Sequence, residues 1–187
     1  MDYNNYKEIL KSRLNEKRYF HSLCVADEAK RLAEKYGADT EKAYLAGLLH
    51  DITKNTDENE QLQIFKDFDI IPDRITKNSL KLWHAVSGAA YIENVLGIKD
   101  PDIISAVRYH TTARQDMSLL EKILYLADFT SFDRDYDDVA VMRKKVDESL
   151  GSAMRYALSY TITELVEKQA PIHPDTVAAF NQIMEEK

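Results

Sequence analysis

The sequence predicts an all-α fold in a single domain, on three observations. Apolar residues recur at i, i+3 and i+4 through most of the 187 residues, and few stretches alternate as half-buried strands do. Capping and breaking residues fall at the ends of these periodic segments. The composition is 44% hydrophobic and 30% charged with 5 Gly and 4 Pro, which describes a globular chain without linkers or low-complexity tracts.

Tyr6–Leu14 reads as a short first helix. A longer one runs from about Tyr19 to Tyr36 and stops at Gly37, a natural C′ residue. Asp39 or Thr40 caps a third, which ends near His50-Asp51. Asp57–Phe68 is a more polar helix, closed by the Ile71-Pro72 break. Leu80–Leu96 ends at Gly97, and Asp100-Pro101 is an N-cap with Pro at N1, opening a helix to about His110. Ser118-Leu119-Leu120-Glu121 is a capping box that opens a helix to about Phe129. Ser131–Asp138 is acidic and reads as a solvated loop. Val139–Gln169 is mostly helical with a break near Gly151, and Pro171-Ile172-His173-Pro174 turns into a last helix over Asp175–Glu186. The pattern gives roughly eight to ten helices. One domain spans 1–187, with a core over about 19–130 and C-terminal helices over about 139–187.

The net charge of −7, with no Lys/Arg block, argues against a nucleic-acid partner. The start lacks a basic and then apolar leader, and the longest apolar stretch, Ala43–Leu49, falls far short of the ~20 residues that span a bilayer. No membrane association and a cytoplasmic location are therefore expected, in keeping with the single Cys24, which has no activating partner and reads as core. An acidic chain repels anionic substrates, so phosphate chemistry here needs a local positive source.

The informative feature is a set of polar residues on apolar helix faces. Asp128 continues the face of Leu120, Ile123, Leu124 and Ala127, and His110 continues that of Ile103, Ala106 and Val107. His84 aligns with Gly88, Tyr91, Ile92 and Val95, and His21 with Val25, Ala29 and Leu32. His50 follows Ala43, Ala46 and Gly47, small residues that leave room beside it, and Asp51 is its neighbour. Any one of these taken singly reads first as a satisfied core histidine or a helix-end carboxylate. Six on five helices read better as metal ligands: they overfill one tetrahedral site and suit two adjacent metals, about 3.5–4 Å apart, with Asp51 bridging. Such a pair supplies the positive potential that the chain lacks.

The order His21, His50-Asp51, His84, His110, Asp128 resembles the HD metal-dependent phosphohydrolase superfamily. His50-Asp51-Ile52-Thr53-Lys54 resembles its HDxxK segment, His110-Thr111-Thr112-Ala113-Arg114 an HTT-x-R segment, Asp128 with Arg134 an ADxxxxxR segment, and Pro171–Thr176 a C-terminal IHPDT motif. Together these are similar to the YqeK family of bacterial symmetrical diadenosine tetraphosphate hydrolases. Ala113 stands where Gly is expected, and Ser131-Phe132 where Glu-Pro is.

The resemblance implies a compact HD-domain helical bundle whose C-terminal helices complete the nucleotide site. It implies cleavage of diadenosine tetraphosphate to two ADP by a metal-activated hydroxide. The cofactor implied is a dinuclear transition metal, iron in the first place, with Mn, Co, Ni or Zn compatible with the same ligands. His21, His50, Asp51 and Asp128 would hold one metal, and Asp51, His84 and His110 the other. Asp51 and Lys54 carry the catalytic expectation. Lys54, Thr111, Arg114, Arg134, His173 and Thr176 are expected at the substrate, beside the metal ligands themselves.

Each has a plainer alternative: an exposed Lys54, a capped turn at Thr111-Thr112, a surface salt bridge for Arg134 among Asp133, Asp135, Asp137 and Asp138, and a structured turn at His173. Tyr19, Tyr109 or Tyr125 could stack on a purine. The partners are a nucleotide substrate and ADP product, and a homodimer is compatible. Two other functions stay open: a nucleotidase or broad phosphatase of the same superfamily acting on nucleoside monophosphates, and a non-catalytic nucleotide or metal sensor.

Overall fold

The computed structural model describes residues 3–186 and contains eleven helices and no strand among them. They are α1 (Tyr3–Arg13), α2 (Glu16–Tyr36), α3 (Thr40–Leu49), α4 (Glu58–Asp67), α5 (Arg74–Lys77), α6 (Leu80–Asn94), α7 (Pro101–Tyr109), α8 (Leu119–Thr130), α9 (Val139–Glu148), α10 (Leu150–Glu167) and α11 (Pro174–Glu185). The count exceeds the expected range by one, and α5 accounts for it. Asp73 accepts from the backbone N–H groups of Ile75 and Thr76 and so nucleates α5, a single turn too short to show periodicity. The long C-terminal segment breaks at Ser149, near the expected Gly151, because Ser149 adopts an extended conformation and its hydroxyl caps α10. Helix α2 starts three residues earlier than expected because Asn15 accepts from Arg18 N.

The remaining ends follow the sequence. Asp39, Asp57 and Asp100 cap α3, α4 and α7, and Ser118 with Glu121 forms the reciprocal capping box of α8. Gly37 ends α2 at φ 75°, a left-handed conformation that costs a residue with a Cβ more than glycine.

One main core runs through the bundle, with a small satellite of Phe65, Trp83 and Val86 between α4 and α6. Helices α2 and α3 form its tightest pair. A Cβ on Gly47 would lie 2.7 Å from Ala26 Cα and 2.9 Å from Val25 O, so α3 reaches the backbone of α2. Helices α7 and α8 pack across this pair, and α6 packs on α7. No helix among the described residues is long and apolar enough to cross a membrane. The consequence for the site is directional: α3, α7 and α8 all bring their C-terminal ends to one place, and helix C-termini carry partial negative charge that favours a cation.

Candidate metal centre

His50 and His110 stand at the C-caps of α3 and α7, and Asp51 follows His50. Asp128 lies in the last turn of α8. His21 and His84 come from the second turns of α2 and α6. The structure brings all six together. Their ligand atoms form three overlapping groups, each within 4.8 Å: His21, His50 and Asp51; His50, His110 and Asp128; Asp51, His84 and His110. All but Asp128 are buried. Asp51 Oδ1 lies 3.1 Å from His84 Nε2 and 3.7 Å from His110 Nε2, while its Oδ2 lies 3.3 Å from His50 Nε2. Asp128 Oδ1 lies 2.9 Å from His21 Nε2 and 4.0 Å from His50 Nε2.

The imidazole tautomers follow from their outer partners. His50 Nδ1 is 2.7 Å from Gly47 O, and His110 Nδ1 is 2.7 Å from Val107 O. A carbonyl only accepts, so both Nδ1 atoms carry the proton and both Nε2 lone pairs face inward. His21 Nδ1 donates in the same way to Asp133 Oδ2 at 2.8 Å. Thr53 Oγ1 donates to His84 O at 3.0 Å and sits 2.8 Å from Ser87 Oγ, fixing α6 against the segment after α3.

Electrostatics keep the donors ready for a cation. Burial alone would raise the pKa of Asp51, yet the imidazoles of His50, His110 and His84 hold it well below the carboxylate range. Burial likewise opposes ionisation of Asp128, but Arg134 and His21 outweigh it. His84 is pushed down to about 4, chiefly by burial, against the pull of Asp51, so it is a neutral ligand at pH 7.

The residues fit a metal pair on two further observations. His50 Nε2 is buried with no hydrogen-bond partner. His84 Nε2 and His110 Nε2 approach to 3.1 Å, and Asp51 Oδ1 lies within 3.7 Å of both, so three donor atoms converge on one point. His21, His50, Asp51 and Asp128 can surround one ion, and Asp51, His84 and His110 the other.

Around this cluster the sequence expectations divide. Lys54 Nζ lies 3.2 Å from His84 Nε2, and burial lowers its pKa against the attraction of Asp51. Thr111 Oγ1 is buried without a partner, a polar atom suited to a ligand. Arg134 donates to both the backbone and a carboxylate oxygen of Asp128 and so borders the cluster.

Three side chains do something other than expected. Arg114 forms a bidentate pair with Glu121 at 2.6 and 3.0 Å, because that carboxylate, 1% exposed within the capping box, needs a counter-charge. His173 caps α11 through Nδ1, which accepts from Asp175 N, and its Nε2 lies 3.0 Å from Asp73 Oδ2. Thr176 donates to Thr112 O at 2.7 Å. His173 and Thr176 therefore tie α11 to α5 and to the turn after His110. Ala113 takes φ 56° in that turn, which explains why glycine suits the position. Tyr125 is buried and bonded to Thr161, so it cannot stack on a ligand.

Sequence reasoning missed Arg18, Asp133 and Arg143. Arg18 Nη1 donates to Asp51 Oδ2 at 2.7 Å, and its place three residues before His21 on α2 could have revealed it. Asp133 belonged to a run read as solvated, yet it orients His21 and accepts from Ser131 Oγ at 2.8 Å. Arg143 on α9 gathers the same loop: Nε donates to Thr130 O at 3.1 Å, and Nη2 to Ser131 O at 2.7 Å and Arg134 O at 3.2 Å. Replacing Arg143 by Ala is expected to loosen Asp133 and Arg134 and weaken metal retention by about tenfold, the scale of lost outer-shell support. Metal content after graded chelator dialysis reads this; retention equal to wild type would show that the loop holds itself.

A family model for the HD domain matches residues 18–133. The symmetrical bis(5'-nucleosyl)-tetraphosphatase of Halalkalibacterium halodurans is 39% identical over 180 residues, covering 96% of each chain. The enzyme of the same name from Bacillus subtilis is 35% identical over 94% of each chain. A crystal structure from Clostridium acetobutylicum, described as a "predicted HD superfamily hydrolase involved in NAD metabolism", superposes with a TM-score of 0.95 at 36% identity, covering 100% of this chain and 99% of that one.

Proposed function

The chain belongs to the HD-domain family, and from that membership we propose that it hydrolyses diadenosine tetraphosphate at the central phosphoanhydride, giving two ADP. The observation that carries the reading is the convergence of four inward imidazoles and two carboxylates beside the ammonium of Lys54 and the unpartnered hydroxyl of Thr111. The family implies a divalent metal, and this donor set suits one. Iron is the proposed occupant, on the family resemblance alone; Mn, Co, Ni and Zn accept the same donors. When bound, the metals supply Lewis-acid polarisation of a phosphoryl oxygen and lower the pKa of water.

The chain's own residues do the rest. Arg18 and Arg134 hold Asp51 and Asp128 in place. Lys54 puts an ammonium beside His84, where charge on a transferred or departing phosphate oxygen can be met. Arg134 is placed to form further hydrogen bonds with phosphate. Thr111 Oγ1 is available to one nucleotide half. His173 and Thr176 act by positioning the turn that carries Thr111. A nucleotide substrate and a buried, unpaired Cys24 support a cytoplasmic setting.

Incubating metal-loaded protein with diadenosine tetraphosphate should give ADP as the sole nucleotide product. AMP plus ATP would overturn the assignment, and preference for a nucleoside monophosphate would favour a nucleotidase. Elemental analysis of the same sample identifies the metal.

A further inference from the structure

We propose that the cleft between the first turn of α2 and the loop after α8 seats the second nucleotide half of a dinucleoside polyphosphate, with Tyr136 as platform for its base. This rests on the central cleavage proposed above. A molecule cut at its midpoint must lay one half on each side of the reacting phosphorus. Thr111 serves the α7 side. On the α2 side lies a cavity of about 430 Å³ bordered by His21, a member of the cluster, and by Arg134, which pairs with Asp128.

The lining has the chemistry of a nucleotide site. Arg18 and Arg134 reach it while paired to Asp51 and Asp128. Lys17 is exposed and has no ion pair among the described residues, which leaves its ammonium for a phosphate. Of the two lining carboxylates, Asp133 is committed to His21 and Ser131. Asp135 is exposed and has no partner among the described residues, an acceptor suited to ribose hydroxyls or an exocyclic amine.

Tyr136 is half-buried and held: its hydroxyl donates to Phe129 O at 3.1 Å, and its ring leans on Tyr160 with centroids 5.5 Å apart. A fixed aromatic ring beside a phosphate-compatible groove is a stacking platform that tolerates different bases. The neighbouring cavity lined by Asp137, Asp138, Glu164 and Glu167 is too acidic for phosphates.

The test compares two substrates on the metal-loaded full chain. Diadenosine tetraphosphate gives two ADP; adenosine 5′-tetraphosphate, which lacks the second nucleoside, gives ADP and pyrophosphate when water adds at the same bond. Wild type should prefer the dinucleotide in kcat/KM by about tenfold, the scale of one lost stacking contact. Tyr136→Leu should erase most of that preference, and Asp135→Asn, an exposed change that leaves packing intact, should narrow it by about threefold. Equal kcat/KM for the two substrates in wild type overturns the subsite. So does an unchanged preference in both variants, or a parallel fall on both substrates. If wild type releases no ADP from the dinucleotide, the parent reading fails and takes the subsite with it.

Discussion

Asp51→Asn is expected to lose activity by about a thousandfold or more and to emerge from purification with little metal, with its helical circular dichroism intact. Asp51 faces four groups: His84 and His110 with one oxygen, His50 and Arg18 with the other. Asn keeps the shape but removes the charge, and it turns an NH2 donor toward atoms arranged around an acceptor. Arg18, 29% exposed, can turn to solvent, so the fold does not depend on the pair. Metal per chain and turnover should fall together. Near-normal turnover with wild-type metal content would remove the bridging role from Asp51 and the metal pair with it.

Gly47→Ala is expected to destabilise the protein by about 3 kcal/mol, near the upper end for overpacking. That corresponds to a Tm lower by roughly 6–12 °C for a chain of this size. All three atoms the new methyl would meet, at 2.7, 2.9 and 3.0 Å, belong to the backbone of Val25 and Ala26, so no side chain can swing aside. Helices α2 and α3 must separate. Because α2 carries His21 and α3 ends in His50-Asp51, activity should fall further than the loss of folded protein explains. Gly151→Ala is the control, since nothing lies within 4 Å of its added Cβ. A Gly47→Ala protein within about 0.5 kcal/mol of wild type would show that the α2–α3 contact can relax.

The fold class and five of the six converging side chains were legible because both are written in helical spacing; Asp51 was read only as the neighbour of His50. A histidine that continues an apolar face at i+3 or i+4 must enter the interior, whatever its partner. The partners across space were not legible. Glu121 was seen as a cap, but nothing local said that its burial would recruit Arg114. His173 stood in a recognised turn, yet its bond to Asp73 joins residues 100 positions apart. Asp133 looked like one of several solvated acids; only the return of the loop over α2 singles it out. Helix α5 was missed because one turn holds no period, although its capping aspartate was in plain view.

The two kinds of anchor behind the histidines differ in what heredity can do to them. His50 and His110 are held by main-chain oxygens of Gly47 and Val107. No codon change deletes a carbonyl, so these two rings keep their proton on the outer nitrogen through any substitution that spares the helix ends. His21 depends on the carboxylate of Asp133, which a single base change can remove. The centre is thus robust on one flank and fragile on the other, and inactivating variants outside the ligands themselves should gather in the loop that delivers Asp133.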